Sequence, residues 1–175
     1  KPILSVALKG LSYSNVYYEL MQSKAYNIKM LDGALIQIMY RFLGNEVVAH
    51  RLAFFPSPDL EEFQNAPDIY ELDEIYAEVV NKGVVVFPFR FDFDARDEVV
   101  KDVDHPMSHL TLGQYSNCRI PVTSPLTPNE FVGFILRNFY HTAHRKYHDG
   151  MRRSKLKFAD TITDNEKQII HLIVG

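Results

Sequence analysis

Residues 26–55 consist of apolar, β-favouring runs broken twice by dipeptides that favour tight turns, Asp32-Gly33 and Gly44-Asn45, so the segment is predicted to fold as a three-stranded meander. The central run alternates. Ala34, Ile36, Ile38, Tyr40 and Phe42 fall on one face and Leu35, Gln37, Met39, Arg41 and Leu43 on the other, which predicts one dry face and one mixed face. Upstream, residues 14–23 fit a short helix. Downstream, Pro56, Pro58 and an acidic stretch stop the sheet.

Ile69, Leu72, Tyr76 and Val79 recur at helical spacing behind Pro67, with acidic first turns and Gly83 as a stop, so a helix is predicted over 67–82. Period-two patterning returns at Val84. Phe87, Phe89, Phe91 and Phe93 share one parity while Arg90, Asp92 and Asp94 share the other, the signature of a half-buried strand, and Pro88 points to an edge position or a bulge. Short strands are expected at 107–113 and 118–123. Thr127-Pro128-Asn129-Glu130 then combines a threonine cap, a first-turn proline and a glutamate three residues after the cap, and predicts a helix running to about His148 with Gly150 as its stop. A final helix is expected at 164–173 behind Asp164. The pattern adds up to a single α+β domain over residues 1–175: a largely antiparallel sheet with a long amphipathic helix packed on one face by its Val132/Phe139 stripe. Because the chain begins at Lys1 and not at Met, further residues are expected upstream.

Composition narrows the class. At 175 residues with 46% hydrophobic and 23% charged positions, the chain can bury a core without staples, which excludes collagen, coiled coil and disordered polymer. No apolar run approaches the ~20 residues of a membrane span, so no membrane partner is expected. The lone Cys118 excludes an internal disulfide framework and a cysteine-rich zinc site; with no signal-peptide pattern, it points to a reducing cytoplasm. A lone strand cysteine is ordinarily a small buried apolar residue. The net charge of -3 conceals an asymmetry: basic and acidic residues number six and three over 1–58, four and fourteen over 59–104, and nine and five over 105–175. An acidic middle and a basic end suggest two partner surfaces or one self-complementary pair, beside the plainer reading of ordinary solvated faces.

Motifs for nucleotide-driven, serine-hydrolase, zincin and EF-hand chemistry are missing, although convergent sites need carry no motif. What stands out is a constellation of Arg90, Asp92 and Asp94 on one strand, His105 and His109 around Pro106, and Arg119 on the strand after. Paired as neighbours, these strands would put Asp92, His109 and Arg119 on one sheet face. Carboxylates and imidazoles can ligate a divalent metal, a neutral imidazole can act as a general base, and a guanidinium can clamp phosphate, so a phosphodiesterase-like site is chemically open. His105 and His109 would lie about 13 Å apart on an extended strand and could share a ligand only if the chain bends at Pro106. The structural alternative is a cross-strand Asp92–His109 hydrogen bond with Arg119 neutralising the carboxylates.

A second candidate is the 127–148 helix. Opposite its apolar stripe of Val132, Ile135, Leu136, Phe139 and Ala143 runs a basic strip of Arg137, His141, His144, Arg145 and His148, extended by Lys146, Arg152, Arg153, Lys155 and Lys157. Such a strip can follow a nucleic-acid backbone or meet an acidic protein surface; cations near a helix C-terminus also arise for local reasons alone. The strip's histidines lack an intervening carboxylate and make a poor metal site.

The stretch His105-Pro-Met-Ser-His-Leu-Thr-Leu-Gly113, continued by Asn117-Cys-Arg-Ile-Pro-Val122, Pro125-Leu-Thr-Pro128 and Phe134-Ile-Leu-Arg-Asn-Phe-Tyr140 and preceded by Arg90-Phe-Asp-Phe-Asp94, resembles a prokaryotic domain-of-unknown-function family, numbered twenty-two ninety, over residues 84–140. Members of that family are encoded beside a helicase in a two-gene anti-phage defence system, so the resemblance implies a helicase partner and a defence role, but no catalytic residue. The expected function is an accessory module of such a pair that binds nucleic acid or the helicase. The alternative is a metal-dependent nuclease built on Asp92, Asp94, His105 and His109 with Arg119. No cofactor is specified beyond that optional divalent metal, and the oligomeric state stays open.

Overall fold

A computed structural model describes residues 10–59, 86–150 and 156–175 of the chain. Among the described residues six strands, β1 (Ile28–Lys29), β2 (Leu35–Leu43), β3 (Glu46–Phe55), β4 (Phe89–Asp94), β5 (Ser108–Leu112) and β6 (Ile120–Pro121), pair antiparallel in chain order. Helix α1 (Tyr13–Gln22) precedes the sheet, and α2 (Pro128–Phe139) and α3 (His141–Tyr147) follow it. The α+β class and the meander are as the pattern predicts, with Gly33 and Gly44 both at positive φ in their turns. A Cβ on Gly33 would come within 3.1 Å of the Ser57 side chain, so the β1–β2 turn needs glycine twice over. The helix predicted over 67–82 lies outside the described residues.

The two sheet faces are used differently. On one, Ile36, Leu52, Phe54, Phe89, Phe91 and Leu110 form the main core against Phe131, Ile135 and Tyr140. The Phe139 ring centroid lies 5.2 Å from those of Phe54 and Phe89, tilted on the first and stacked on the second. On the other, Tyr17 and Leu20 of α1 pack on Leu35 and Phe55, and the Gln37 side chain donates to the Ala25 carbonyl. Helix α1 therefore closes only the end of that face nearest the start of β2 and the end of β3. Among the described residues, none covers its remainder.

Several expectations shift. β4 is a central strand, and Pro88 sits just before its first paired residue, where no ladder N–H is required. Phe87 precedes the strand and is 47% exposed, unlike Phe89, Phe91 and Phe93. Phe42 is 61% exposed because the β2–β3 hairpin, with a register shift after Arg41, runs past the first β3–β4 pair at Ala49 and Asp94. The long helix predicted to His148 is two helices. Tyr140 leaves the helical region (φ -135°, ψ 53°) while its buried hydroxyl donates to the equally buried Asp32 at 2.6 Å. The Thr127/Glu130 capping box that starts α2 forms in full. The predicted 164–173 helix is a single 3-10 turn, Glu166–Gln168; beyond it Leu172 forms one parallel bridge to Val122, through backbone hydrogen bonds with Pro121 and Thr123, at the end of β6. The strand expected at 118–123 is correspondingly short.

The loop ahead of α2 is held by the sheet itself. Tyr40 and His50 are cross-strand partners on the core face; the tyrosine hydroxyl donates to the Leu126 carbonyl at 2.5 Å, and the Leu126 N–H donates to His50 Nε2 at 3.2 Å. Accepting through Nε2 requires a neutral ring, and burial pushes the His50 imidazolium down to about 4.

Two outcomes follow for stability. Replacing Phe91 by Ala removes a ring that is 3% exposed from beneath α2 and should cost about 3–5 kcal/mol in denaturant unfolding. His50 binds a proton in the unfolded chain near 6.5 but in the folded chain only near 4, so its contribution is intact above about pH 6.5 and is lost as pH falls towards 4. His50→Gln, which keeps an acceptor, should make the melting temperature less steep with pH across that window; an unchanged slope would show that His50 is not a proton-linked group.

Candidate functional site

Strand register assembles the open part of the second face. Arg51 of β3, Asp92 of β4 and His109 of β5 lie in one row, and Pro121 of β6 pairs with His109, which brings Arg119 to the same end of the sheet. Arg90 and Asp94 flank Asp92 on β4. With Arg41 of β2 and His105 these residues line an open cleft of about 430 Å³.

Asp92 organises the cleft. Arg51 Nε donates to its Oδ1 at 3.0 Å and Arg90 Nε to its Oδ2 at 2.5 Å. Burial opposes ionisation of this carboxyl, and the two guanidiniums overcome it, so it titrates below the usual carboxylate range. Asp94 is held by Arg96 through two nitrogens, with Arg41 at 3.9 Å, and is likewise depressed, chiefly by the Arg96 hydrogen bonds. No carboxylate among the described residues pairs with Arg119. The neutralisation expected of Arg119 is thus performed by Arg51 and Arg90.

The expected Asp92–His109 hydrogen bond does not form. His109 Nε2 stands 3.9 Å from Asp92 Oδ2, while Nδ1 faces the Pro106 carbonyl at 2.8 Å. A carbonyl can only accept, so Nδ1 carries the hydrogen and the Nε2 lone pair of the neutral ring faces the carboxylate. Burial favours that neutral form and lowers the His109 pKa; burial, then Arg119, does the same at His105. The chain does bend at Pro106: the His105 and His109 rings lie 5.1 Å apart, and a Lys101–His105 bridge closes the preceding turn.

Asp92, His105, His109 and Arg119 are therefore together, with Asp94 beside them and its carboxylate committed to Arg96. Among the described residues no three His, Cys, Asp or Glu side chains come close enough to hold one metal ion. The basic strip lies elsewhere. Arg137, His141, Arg145 and Lys146 are exposed and His144 half-buried, on helices whose apolar side packs against the opposite sheet face; Arg152 and Arg153 are outside the described residues. Cys118 is half-buried in a separate surface pocket with Leu112 and Tyr115. Arg41 and Arg51 are cleft residues that sequence patterning does not single out, since only the β3–β4 register sets Arg51 opposite Asp92.

Asp92→Asn removes the charge that orders Arg51 and Arg90 and should cost about 1.5–3 kcal/mol, the range for hydrogen bonds to charged groups, and towards its lower end because both arginines reach water. The folded-state pKa is depressed, so this contribution is fully present above the ordinary carboxylate value, about pH 4, and is lost as pH falls from there through the lower folded-state value. The variant should accordingly be closest to the parent in strongly acid solution, as checked by urea unfolding at pH 3 and pH 7.

No curated protein and no solved structure matches this chain. One family model does, over residues 1–174 and so far beyond the 84–140 stretch that carries the resemblance: the chain belongs to the uncharacterized conserved protein family DUF2290.

Proposed function

We propose that this protein is a nucleic-acid-binding accessory module of a helicase-linked anti-phage defence pair, and that it binds phosphate through the cleft formed on β3, β4 and β5. The helicase partner and the defence setting rest on the family resemblance alone. The binding surface rests on one observation: the cleft is lined by four guanidiniums, Arg41, Arg51, Arg90 and Arg119, against two carboxylates, Asp92 and Asp94, which leaves two positive charges in excess with the histidines neutral. Partly desolvated guanidiniums are well suited to phosphate oxygens, and a concave site focuses their field.

The second reading is a metal-dependent nuclease using Asp92, Asp94, His105 and His109. It is favoured by the state of His109, whose Nδ1–H is fixed on a carbonyl while Nε2 faces a carboxylate, an arrangement common to metal-binding imidazoles. It is weakened by the commitment of both carboxylates to arginines.

Fluorescence anisotropy with a labelled single-stranded oligonucleotide tests the binding reading. Affinity should fall as salt rises, because neutralised phosphates release condensed counterions, and losing one phosphate contact should flatten the log–log slope by about 0.7. Arg119→Gln should flatten it, whereas reversing Arg145 and Lys146 on the far side of the sheet should not. Loss of binding only in the Arg145/Lys146 variant would move the interface to the helical strip. On forked substrates with the helicase present, chelator-sensitive cleavage abolished by His109→Ala would establish the nuclease instead.

A further inference from the structure

Resting on the reading of the cleft as a phosphate site, we infer that its ligand is a phosphate monoester: the terminal phosphate of a nucleic-acid strand or a free mononucleotide, clamped by the outer nitrogens of Arg51 and Arg90 and by Arg119.

Both arginines meet Asp92 through Nε. The η nitrogens make no further hydrogen bond among the described residues, and the side chains keep 32% and 43% of their exposure. Each guanidinium is thus held at Nε by the half-buried Asp92 carboxylate and has its remaining N–H groups free for the cleft it lines. This is a prepared fork for oxygens, because the orienting contact is made before any ligand arrives. Arg119, half-buried and unpaired among the described residues, approaches from the β6 side.

Charge selects between kinds of phosphate. An internal phosphodiester carries one negative charge, whereas a monoester carries about 1.5 to 2 at pH 7 and offers three terminal oxygens. An excess of at least two positive charges, with Arg96 offsetting Asp94 from outside the lining, favours the more highly charged monoester. Size agrees. A volume of about 430 Å³ lies in the range of small-ligand sites and accommodates one nucleotide unit, with Met39 and Val99 adding apolar surface beside the charged groups.

The test uses the purified full chain and two single-stranded oligonucleotides of one sequence, one with a 5′-phosphate and one with a 5′-hydroxyl, with inorganic phosphate and a 5′-mononucleotide as competitors. The phosphorylated strand should bind at least about tenfold tighter. Arg119→Gln should remove that preference with an unchanged melting temperature, since Arg119 has no structural partner among the described residues. Arg90→Lys, which keeps the charge but loses the fork, should remove most of it as well. If the strands bind alike but the mononucleotide binds in an Arg119-dependent way, the monoester is a free nucleotide and the assignment stands. If both strands bind alike through Arg119 and the mononucleotide does not compete, the cleft grips internal backbone: the monoester is overturned while the binding reading survives. If nothing binds, both fall.

Discussion

Strand β4 is hydrogen-bonded on both sides, so its side chains can only leave the sheet up or down, and the rest of the molecule is arranged around that constraint. Phe89, Phe91 and Phe93 go to one side, where the first two meet the aromatic rings of α2. Arg90, Asp92 and Asp94 go to the other. A slip of one residue would drive three charges into the core and three phenyl rings into the cleft, so the hydrophobic cost of losing register also protects the geometry of the site.

The helical layer is attached through polar contacts as well as apolar ones. At the entry to α2, the peptide of Leu126 gives its N–H to His50 and receives the Tyr40 hydroxyl; at the exit, Tyr140 reaches the β1–β2 turn through Asp32. Each of these groups is buried or half-buried, and leaving one unpaired would carry a desolvation penalty of about 1–3 kcal/mol. They pin α2 to one position over the phenylalanines. Burial raises the Asp32 carboxyl above its ordinary range and lowers His50 below its own, so this layer is built from groups whose neutral forms are favoured.

On the opposite face the charged forms of the carboxyls are favoured. The arginines keep Asp92 ionised in spite of its burial, and Asp92 in return fixes the orientation of two guanidiniums that would otherwise explore many rotamers. The acidic residues here serve to arrange cations. The cleft consequently has a basic character inside a chain whose net charge is -3, a local sign that the average conceals.

The sequence by itself determined what depends on neighbours in the chain: the meander with its Gly33 and Gly44 turns, the alternation of β4, the capped start of α2 and the α+β class. Each follows from steric permission, side-chain period or a local hydrogen bond. It also brought Asp92, His109 and Arg119 into one candidate group, because alternation is readable once adjacent strands are assumed to pair. Tertiary structure decided the rest. That Arg51 faces Asp92 depends on a register between β3 and β4, strands separated by more than thirty residues. The break at Tyr140 depends on Asp32, 108 positions away. The extended tail at Leu172 competes with a local helical pattern and prevails through the open edge of β6. The helical strip and the cleft read alike as basic candidates along the chain; which side of the sheet each occupies is set by the face that α2 buries, a property of the packed layers and not of any segment.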